Sequence, residues 1–419
     1  MDYTDILKVE LIPAFGCTEP ISIALASAKA KEVLEENPNK IIANLSGNII
    51  KNANSVKVPG TLGRKGINIS LVAGALLGDP SKNLEVLNDI DKSKLNYCDK
   101  LIEQGIVDIK LAENKIGLYI DITMYSASNK SRVIIEGSHT NIVLIQRNEE
   151  IIYKCDDKCQ KQKCQLEKFS FDSIYDFAKT CDYSDLKYIL DKQISYNIKI
   201  SEEGLNNKWG ANIGSTILNQ NSNDYFEKLA AYAAAGSDAR MAGCESPVVI
   251  NSGSGNQGIT AAVPVIIYSR DHGFPSDSLY RALIFSNLMS LYIKQRIGKL
   301  SAYCGVVSAA SSSIASIAFL ENENKEIIEE TLSNSLATNS GIICDGAKAS
   351  CASKIASSIR NASLAYKQAL SNNSFKAGDG IVKENIDDTI ESVGIIASEG
   401  MKVTDQVVLN QVLKKNNKI

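Results

Sequence analysis

Residues 302–320 read AYCGVVSAASSSIASIAFL, a stretch that carries no charge and consists largely of small side chains. Its length is close to the ~20 residues that a membrane-spanning helix needs, but serines recur along it. Serine hydroxyls can bond to the backbone of their own helix, and small side chains let neighbouring helices approach closely. The stretch therefore predicts a helix buried in the core of a helical domain, not a membrane span.

The rest of the chain divides by pattern. Residues 169–419 carry long helical patterns, whereas residues 40–153 contain successive alternating runs that are typical of strands. Residues 154–168, KCDDKCQKQKCQLEK, are highly polar and are predicted to be a linker. Residues 1–39 end in a helix whose small-residue face is predicted to pack on the helical domain. The predicted fold class is α+β: a mainly helical domain rich in small residues, with an inserted mixed α+β domain.

Composition excludes several classes of protein. Of the 419 residues, 44% are hydrophobic and 22% are charged, and the formal net charge is −3. This is an ordinary globular mix, and it provides no electrostatic field for nucleic acid or an anionic membrane. The N-terminus has no apolar signal segment, so we expect a cytoplasmic protein. Two histidines, and no lysine in a recognisable pyridoxal phosphate (PLP) context, argue against a Ser-His-Asp hydrolase or a PLP enzyme. The sequence leaves open whether the chain forms a homo-oligomer.

Ten cysteines are many for a cytoplasmic chain, where disulfides are disfavoured and metal or catalytic roles are more common. Cys304, Cys344 and Cys351 lie among glycines, alanines and serines, whose small side chains let backbone N–H groups approach an inorganic sulfide. Three thiolates on a largely apolar scaffold suit an iron–sulfur cluster better than a lone zinc ion. The alternative is that each cysteine is simply a small buried side chain of the core.

A second triplet competes with this one. Cys155, Cys159 and Cys164 are spaced C-x3-C-x4-C within the polar linker. Their neighbours are lysine, aspartate and glutamine, with no glycine and no apolar shell. Zinc or adventitious metal binding is one interpretation, and a nonessential thiol-rich loop is the other.

Cys17 follows Gly16 and precedes Thr18-Glu19-Pro20, where a helix is predicted to begin. The helix dipole and the free N–H groups of a helix start lower the pKa of a thiol, which makes the thiolate available as a nucleophile or a base. The alternative is a buried cysteine at the helix cap.

The segment NSGSGNQG, residues 251–258, precedes an apolar helical run. Successive glycines and serines at a helix start form a nest of backbone donors that suits an anion or a carboxylate. The segment is neither a Walker loop nor a dinucleotide fingerprint, so a small carboxylate fits better than a nucleotide. An ordinary capping turn is the alternative, although it would normally need only one glycine. The predicted carboxylate ligands are Ser252, Gly253, Ser254, Gly255, Asn256 and Gln257.

Four blocks of the sequence resemble the L-cysteine desulfidases, which are oxygen-sensitive enzymes similar to the iron–sulfur L-serine dehydratases. The blocks are PAFGCTEPISIALA at 13–26, KNANSVKVPGTLGRKG at 51–66, EGSHTNIV at 136–143 and GSDARMAGCESPVVINSGSGNQGITAAVPV at 236–265. The resemblance implies a [4Fe-4S] cluster with one open iron, held by Cys304, Cys344 and Cys351, and a catalytic cysteine at Cys17. The segment CDGAKASC at 344–351 is shorter than its counterpart in the dehydratases, which favours the desulfidase branch. The linker cysteines match no motif of the family.

The hypothesis at this point is a carbon–sulfur lyase that converts L-cysteine to pyruvate, ammonia and hydrogen sulfide. The open iron would bind the substrate thiolate as a Lewis acid, and Cys17 would remove the α-proton. His139 would hydrogen-bond the substrate or the cluster, or serve only at its strand end. In a variant of this mechanism, Cys17 is a transient fourth ligand of the cluster. The alternatives are an iron–sulfur L-serine dehydratase and a non-catalytic iron–sulfur or zinc-binding protein.

Overall fold

The computed structural model describes residues 2–115, 117–155, 169–220, 222–298 and 301–414. These residues form one six-stranded mixed sheet, a second, two-stranded sheet and many helices. The predicted α+β class with a mainly helical composition is confirmed. All strands of the larger sheet fall between Lys40 and Lys154, while the domain boundaries themselves stay a prediction. Cys159, Cys164 and most of the predicted linker lie outside the described residues.

The first part of the chain builds the sheet and the helices that cover it. Its elements are α1 (Tyr3–Glu10), β1 (Pro13–Phe15), α2 (Thr18–Leu34), β2 (Lys40–Leu45), α3 (Gly47–Ala53), α4 (Ile67–Leu77), α5 (Leu95–Glu103), β3 (Val107–Leu111), β4 (Tyr119–Tyr125), β5 (Lys130–Glu136), β6 (Ile142–Arg147) and β7 (Glu150–Lys154). The strand order is β3-β2-β4-β5-β6-β7. β2 and β3 are parallel, and the other neighbouring pairs are antiparallel. The central strand β4 is buried along nearly its whole length, whereas β7 is an exposed edge.

The second part is helical. Its elements are α6 (Phe171–Thr180), α7 (Lys187–Asn206), α8 (Ile213–Leu218), α9 (Tyr225–Met241), β8 (Pro247–Val249), α10 (Gly255–His272), α11 (Ser276–Ile297), α12 (Gly305–Leu320), α13 (Lys325–Asn339), α14 (Cys351–Leu370), α15 (Ile386–Ile395) and α16 (Lys402–Lys414), with a π-helical turn at Ile396–Gly400. The helix expected within residues 302–320 is α12, which packs against α10, α11, α13 and α14. Among the described residues, no helix has both the length and the apolar character that crossing a membrane demands.

Serine hydroxyls inside α12 find partners in helix backbones. Ser311 Oγ donates to the Val307 carbonyl at 2.9 Å, and Ser316 Oγ donates to the Ala282 carbonyl of α11 at 2.5 Å. These bonds satisfy polar groups that would otherwise be costly to bury. The serine-rich stretch is therefore compatible with a tightly packed core.

The N-terminal segment divides between the two parts of the molecule. α1 lies against the helical part, where Tyr3 Oη and Ser173 Oγ are 2.6 Å apart. α2 instead lies between α4 and the face formed by β4, β5 and β6. Ser131 Oγ on β5 donates to the Ala30 carbonyl of α2 at 2.7 Å. The prediction that the N-terminal helix packs on the helical domain is wrong for α2, because its small side chains fit the sheet and α4 equally closely.

A short antiparallel pairing of β1 with β8 ties the start of the chain to the helical part. Pro13 pairs with Val249, and Phe15 pairs with Pro247. β1 ends at Phe15, directly before residues 16–17, and β8 ends at Val249, shortly before the glycine-rich segment 251–257. Because the two strands run antiparallel, these segments leave the short ladder at opposite ends. More than 230 positions separate them in the sequence.

Candidate functional site

One cavity lies where several helices begin. The starts of α2, α10, α12 and α14 line it. The N-cap residues of the first three helices are Cys17, Ser254 and Cys304, in that order, and the first residue of α14 is Cys351. The cavity has about 740 Å³ of empty space, its open mouth included. Unpaired backbone N–H groups and the helix dipole give each start a partial positive charge. Several such starts around one space favour a negatively charged occupant.

The cavity brings together all the predicted site residues except Gly255. They come from the N-terminal segment, the turn after β5, the 251–257 segment and the two regions that hold the three cysteines. The side chains that sequence reasoning missed are those of Thr18, Glu19, Asn48, Lys51, Asn52, Arg240, Lys294, Ser301, Tyr303, Val306 and Ala347. Most of them carry charge or an amide, so the cavity wall is far more polar than a packed core.

A short backbone ladder makes Cys304 and Cys344 neighbours. The Cys304 N–H donates to the Ile342 carbonyl at 3.0 Å, and the Cys344 N–H donates to the Ala302 carbonyl at 2.6 Å. Cys351 begins α14, and its Sγ accepts from the Lys348 N–H at 3.5 Å. Three thiols from two distant regions therefore line one wall.

Nearby groups determine which of these thiols ionises most readily. The Cys304 thiol lowers the pKa of Cys344, and the positive charges of Lys51 and Lys294 act in the same direction against the effect of burial. The same pairing, together with burial, raises the pKa of Cys304. Burial also raises the pKa of Cys351. The positive charges of Lys51 and Lys294 therefore favour a thiolate at Cys344.

Two buried lysines add positive charge to the same cavity. Lys51 is 1% exposed, and its Nζ lies 2.6 Å from Asp405 Oδ1 on α16. Lys294 is 2% exposed, and burial lowers its pKa to about 8. Ammonium groups beside several thiols offset the negative charge that thiolates and inorganic sulfide would bring.

The donor set fits an iron–sulfur cluster. No three His, Cys, Asp or Glu side chains of the described residues lie close enough to hold a single metal ion, whereas three thiols line one cavity. Glycines beside the cysteines let other groups of the lining approach closely: a Cβ on Gly305 would lie 2.6 Å from the Gln257 amide, and a Cβ on Gly346 would lie 2.8 Å from the Lys51 carbonyl. The iron atoms of a cluster lie apart from one another, so a cluster can bind three thiols that are too far apart to share a single metal ion. Cys155 does not line this cavity.

Cys17 is a protonated donor in this structure. It is the N-cap of α2 but makes no side-chain capping bond; its Sγ instead donates to Glu19 Oε2 at 3.1 Å. Burial and the Glu19 carboxylate raise the pKa of Cys17 well above its usual value, although Arg240 acts in the opposite direction. The predicted lowering of this pKa by the helix start is therefore wrong, because burial beside a carboxylate outweighs the helix dipole.

Glu19 is the missed residue nearest to Cys17. Its carboxylate also accepts from Thr18 Oγ1 at 3.2 Å and from Asn52 Nδ2 at 2.8 Å, and His139 Nε2 lies 3.9 Å from Oε1. Burial acts to raise the pKa of Glu19, but His139 and the Cys17 thiol outweigh it and hold the pKa well below its usual range. The sequence signal was an acidic residue in the first turn of a helix in which only small or apolar side chains follow from Pro20 to Ala28.

The 251–257 segment turns sharply before α10 begins. Ser252 and Gly253 have positive φ angles of 51° and 74°, and the Ser254 hydroxyl accepts from the Gln257 N–H at 3.4 Å. A Cβ on Gly253 would lie 2.8 Å from His139 Nδ1. Glycine at this position therefore leaves room for the imidazole of His139, which lies in the turn after β5. Gly255 does not line the cavity; it lies against the Arg240 guanidinium.

Buried polar atoms that lack a hydrogen-bond partner among the described residues cluster in this cavity. They are Asn52 Oδ1, His139 Nε2, Arg240 Nε and Gln257 Oε1. A buried polar atom without a partner costs about 1–3 kcal/mol, so a group of them indicates a polar occupant. The set contains acceptors and a cationic donor, and together these complement a molecule with both an ammonium and a carboxylate.

Comparison with known proteins agrees with this geometry. Residues 81–410 match the family model described as serine dehydratase alpha chain. A UPF0597 protein of Lachnoclostridium phytofermentans is 46% identical over 98% of each chain. A UPF0597 protein of Finegoldia magna is 43% identical over 99% of this chain and 100% of its own length. The family points to a lyase-type enzyme and to an iron–sulfur cofactor without PLP. The chain belongs to the serine dehydratase alpha chain family.

Proposed function

We propose that this protein is an iron–sulfur-dependent L-cysteine desulfidase, a carbon–sulfur lyase that converts L-cysteine and water to pyruvate, ammonia and hydrogen sulfide. One observation carries the proposal: three thiols and a set of partnerless donors and acceptors share one cavity. The resemblance of the 13–26 and 236–265 blocks to desulfidases supports cysteine as the substrate.

Cys304, Cys344 and Cys351 would hold a [4Fe-4S] cluster and leave one iron open. When bound, such a cluster supplies a Lewis acid that makes the sulfur of the substrate a better leaving group.

The remaining groups of the cavity match the zwitterion of an amino acid. The N–H groups at the start of α10 and the Asn256 amide would hold the carboxylate. Gln257 Oε1 and Asn52 Oδ1, which lack partners among the described residues, would accept from the ammonium. The Gln257 amide lies against Gly305, the residue after Cys304, so an ammonium bound there brings the rest of the substrate beside the thiols.

Cys17 would act as the base. Its thiolate takes the α-proton, the electron pair of the C–H bond forms the new double bond, and the bond from Cβ to sulfur breaks to release sulfide. The resulting 2-aminoacrylate tautomerises to an imine, which water hydrolyses to pyruvate and ammonia. After proton uptake, Cys17 is the thiol that donates to Glu19 Oε2. The surroundings that raise its pKa make the thiolate a strong proton acceptor.

A second candidate is L-serine dehydration in the same cavity, which the description of the matched family favours. The same residues would bind the zwitterion, and hydroxide would leave in place of sulfide.

Purification without oxygen, followed by an iron and acid-labile sulfide count, tests the cofactor. Assays of pyruvate and sulfide from L-cysteine, and of pyruvate from L-serine, then test the substrate. We expect equal pyruvate and sulfide from L-cysteine and a much lower kcat/KM for L-serine. The opposite preference would identify a serine dehydratase, and a cluster without turnover of either amino acid would indicate a binding protein. Cys344→Ala is the matched control, because it removes one cluster ligand and leaves the 251–257 segment intact.

A further inference from the structure

We propose that Arg240 provides the positive charge that binds the substrate carboxylate and that it positions the two segments between which the substrate sits. This inference rests on the proposed function, since it assigns the residue that would make the cavity selective for carboxylates.

Arg240 is a buried cation with only neutral partners. It lies in the last turn of α9, is 4% exposed and lines the cavity. Its Nη1 donates to Asn256 Oδ1 at 3.2 Å, and its Nη2 donates to the Gly16 carbonyl at 2.9 Å. Its Nε has no partner among the described residues, and none of their carboxylates lies within 4.0 Å of the guanidinium. Each of the other arginines pairs with an acidic side chain, as Arg360 does with Glu227.

A buried charge without a counterion is costly, and it becomes favourable when an opposite charge with good hydrogen-bonding geometry joins it. A guanidinium presents several N–H donors in a planar fork that matches a carboxylate. The uncompensated charge of Arg240 beside the start of α10 therefore points to a carboxylate, and not to a neutral group, as the occupant.

Arg240 also fixes the direction in which Asn256 donates. Because Asn256 Oδ1 accepts from Nη1, the Nδ2 group faces the other side of the amide and is left to donate to a ligand. Gly255 makes this arrangement possible, since a Cβ there would lie 2.3 Å from Arg240 Nε. Gly255 thus leaves room for the Arg240 side chain and does not line the cavity.

The second bond of Arg240 reaches the segment that carries Cys17. Nη2 holds the Gly16 carbonyl, one residue before the proposed base. A single guanidinium therefore joins the 251–257 segment, which would bind the carboxylate, to the segment that carries Cys17. The α-carbon of a bound amino acid would then be held at a fixed position relative to Cys17 Sγ.

Two probes separate this role from simple support of the fold. 3-Mercaptopropionate has the thiol and the carboxylate of cysteine, and cysteamine has the thiol and the ammonium. The affinity of each probe is measured by calorimetry without oxygen, first for the wild-type holoenzyme and then for the Arg240→Gln holoenzyme. Arg270→Gln is the matched control, because Arg270 is an exposed arginine of α10 that pairs with Glu202. We expect Arg240→Gln to lower the binding affinity for 3-mercaptopropionate by about tenfold or more and the affinity for cysteamine by less than about twofold.

Arg240→Lys tests the inference even if Arg240→Gln does not fold. It keeps the positive charge but loses the planar fork that matches a carboxylate, so the binding of 3-mercaptopropionate should still be weakened more than that of cysteamine. Equal weakening of both probes, unchanged affinity for 3-mercaptopropionate in both variants, or no binding of this probe to the wild type would overturn the inference. Calorimetry needs no turnover, so an enzyme that fails to consume L-cysteine would refute the proposed function and leave the result on Arg240 to stand.

Discussion

Cys17→Ser is the change that examines the proposed base most directly. Serine is a preferred N-cap residue, and its hydroxyl can donate to Glu19 Oε2 as the thiol does at 3.1 Å. The start of α2 and the neighbouring 251–257 segment should therefore keep their structure. What changes is acidity, because a serine hydroxyl hardly ionises near neutral pH.

The size of the effect follows from the surroundings of the side chain. General base catalysis is worth about 10²–10⁴ in rate, which is about 3–5 kcal/mol of activation free energy. Burial and the Glu19 carboxylate already raise the pKa of the Cys17 thiol, and both effects would also disfavour an alkoxide at this position. We therefore expect kcat to fall near the upper end of that range. The KM for L-cysteine should change by less than about threefold, since the carboxylate and ammonium partners are untouched.

The assay uses holoenzyme and L-cysteine deuterated at the α-carbon, in the absence of oxygen. Pyruvate formation reports turnover, and loss of the deuterium to solvent reports proton removal alone. Cys181→Ser is the matched control, because Cys181 is a partly buried thiol at the end of α6 that does not line the cavity. Iron content should be the same in the wild type and both variants.

Two results would refute the assignment. Exchange of the α-deuterium at the wild-type rate in Cys17→Ser would mean that another residue is the base. Loss of the cluster in the same variant would make Cys17 a ligand of the cluster.

Two further predictions concern the cluster and the pH dependence. Replacing Cys304, Cys344 or Cys351 by alanine should abolish both the iron content and the activity, whereas replacing Cys155, Cys159 and Cys164 together should leave both unchanged. Iron and acid-labile sulfide counts on each purified variant measure the cluster content. Loss of iron only in the linker variant would contradict the proposed ligand set. Because the pKa of Cys17 is raised, its thiolate fraction at neutral pH is small and grows about tenfold for each pH unit below that pKa. The kcat/KM for L-cysteine should accordingly rise with pH through neutrality and beyond pH 9, measured with buffers of constant ionic strength, and a plateau reached already below pH 7 would disagree with Cys17 as the base.

Local patterns in the sequence determined the elements and most of the candidate site. The small, serine-containing stretch at 302–320 predicted a buried helix because each serine can bond to its own helix backbone. The glycines and serines at 251–258 predicted a nest of backbone donors at a helix start, and α10 begins within this segment. Cys17 was found through its place at a predicted helix start, and Cys304 through the glycine, alanine and serine residues around it, because both signals depend only on residues a few positions away.

Only the tertiary structure decided which partners these elements meet and what charges surround them. α2 was expected on the helical domain but covers the sheet, because its composition suits both surfaces. The pKa of Cys17 was expected to be low but is raised, because burial and the nearby Glu19 carboxylate outweigh the helix dipole. Arg240 lies within the 236–265 block, but its neighbours in sequence do not indicate its partner, and it reaches Gly16 across 224 positions of the chain. Burial and long-range charge pairing depend on which segments fold together, so they cannot be derived from neighbours along the sequence.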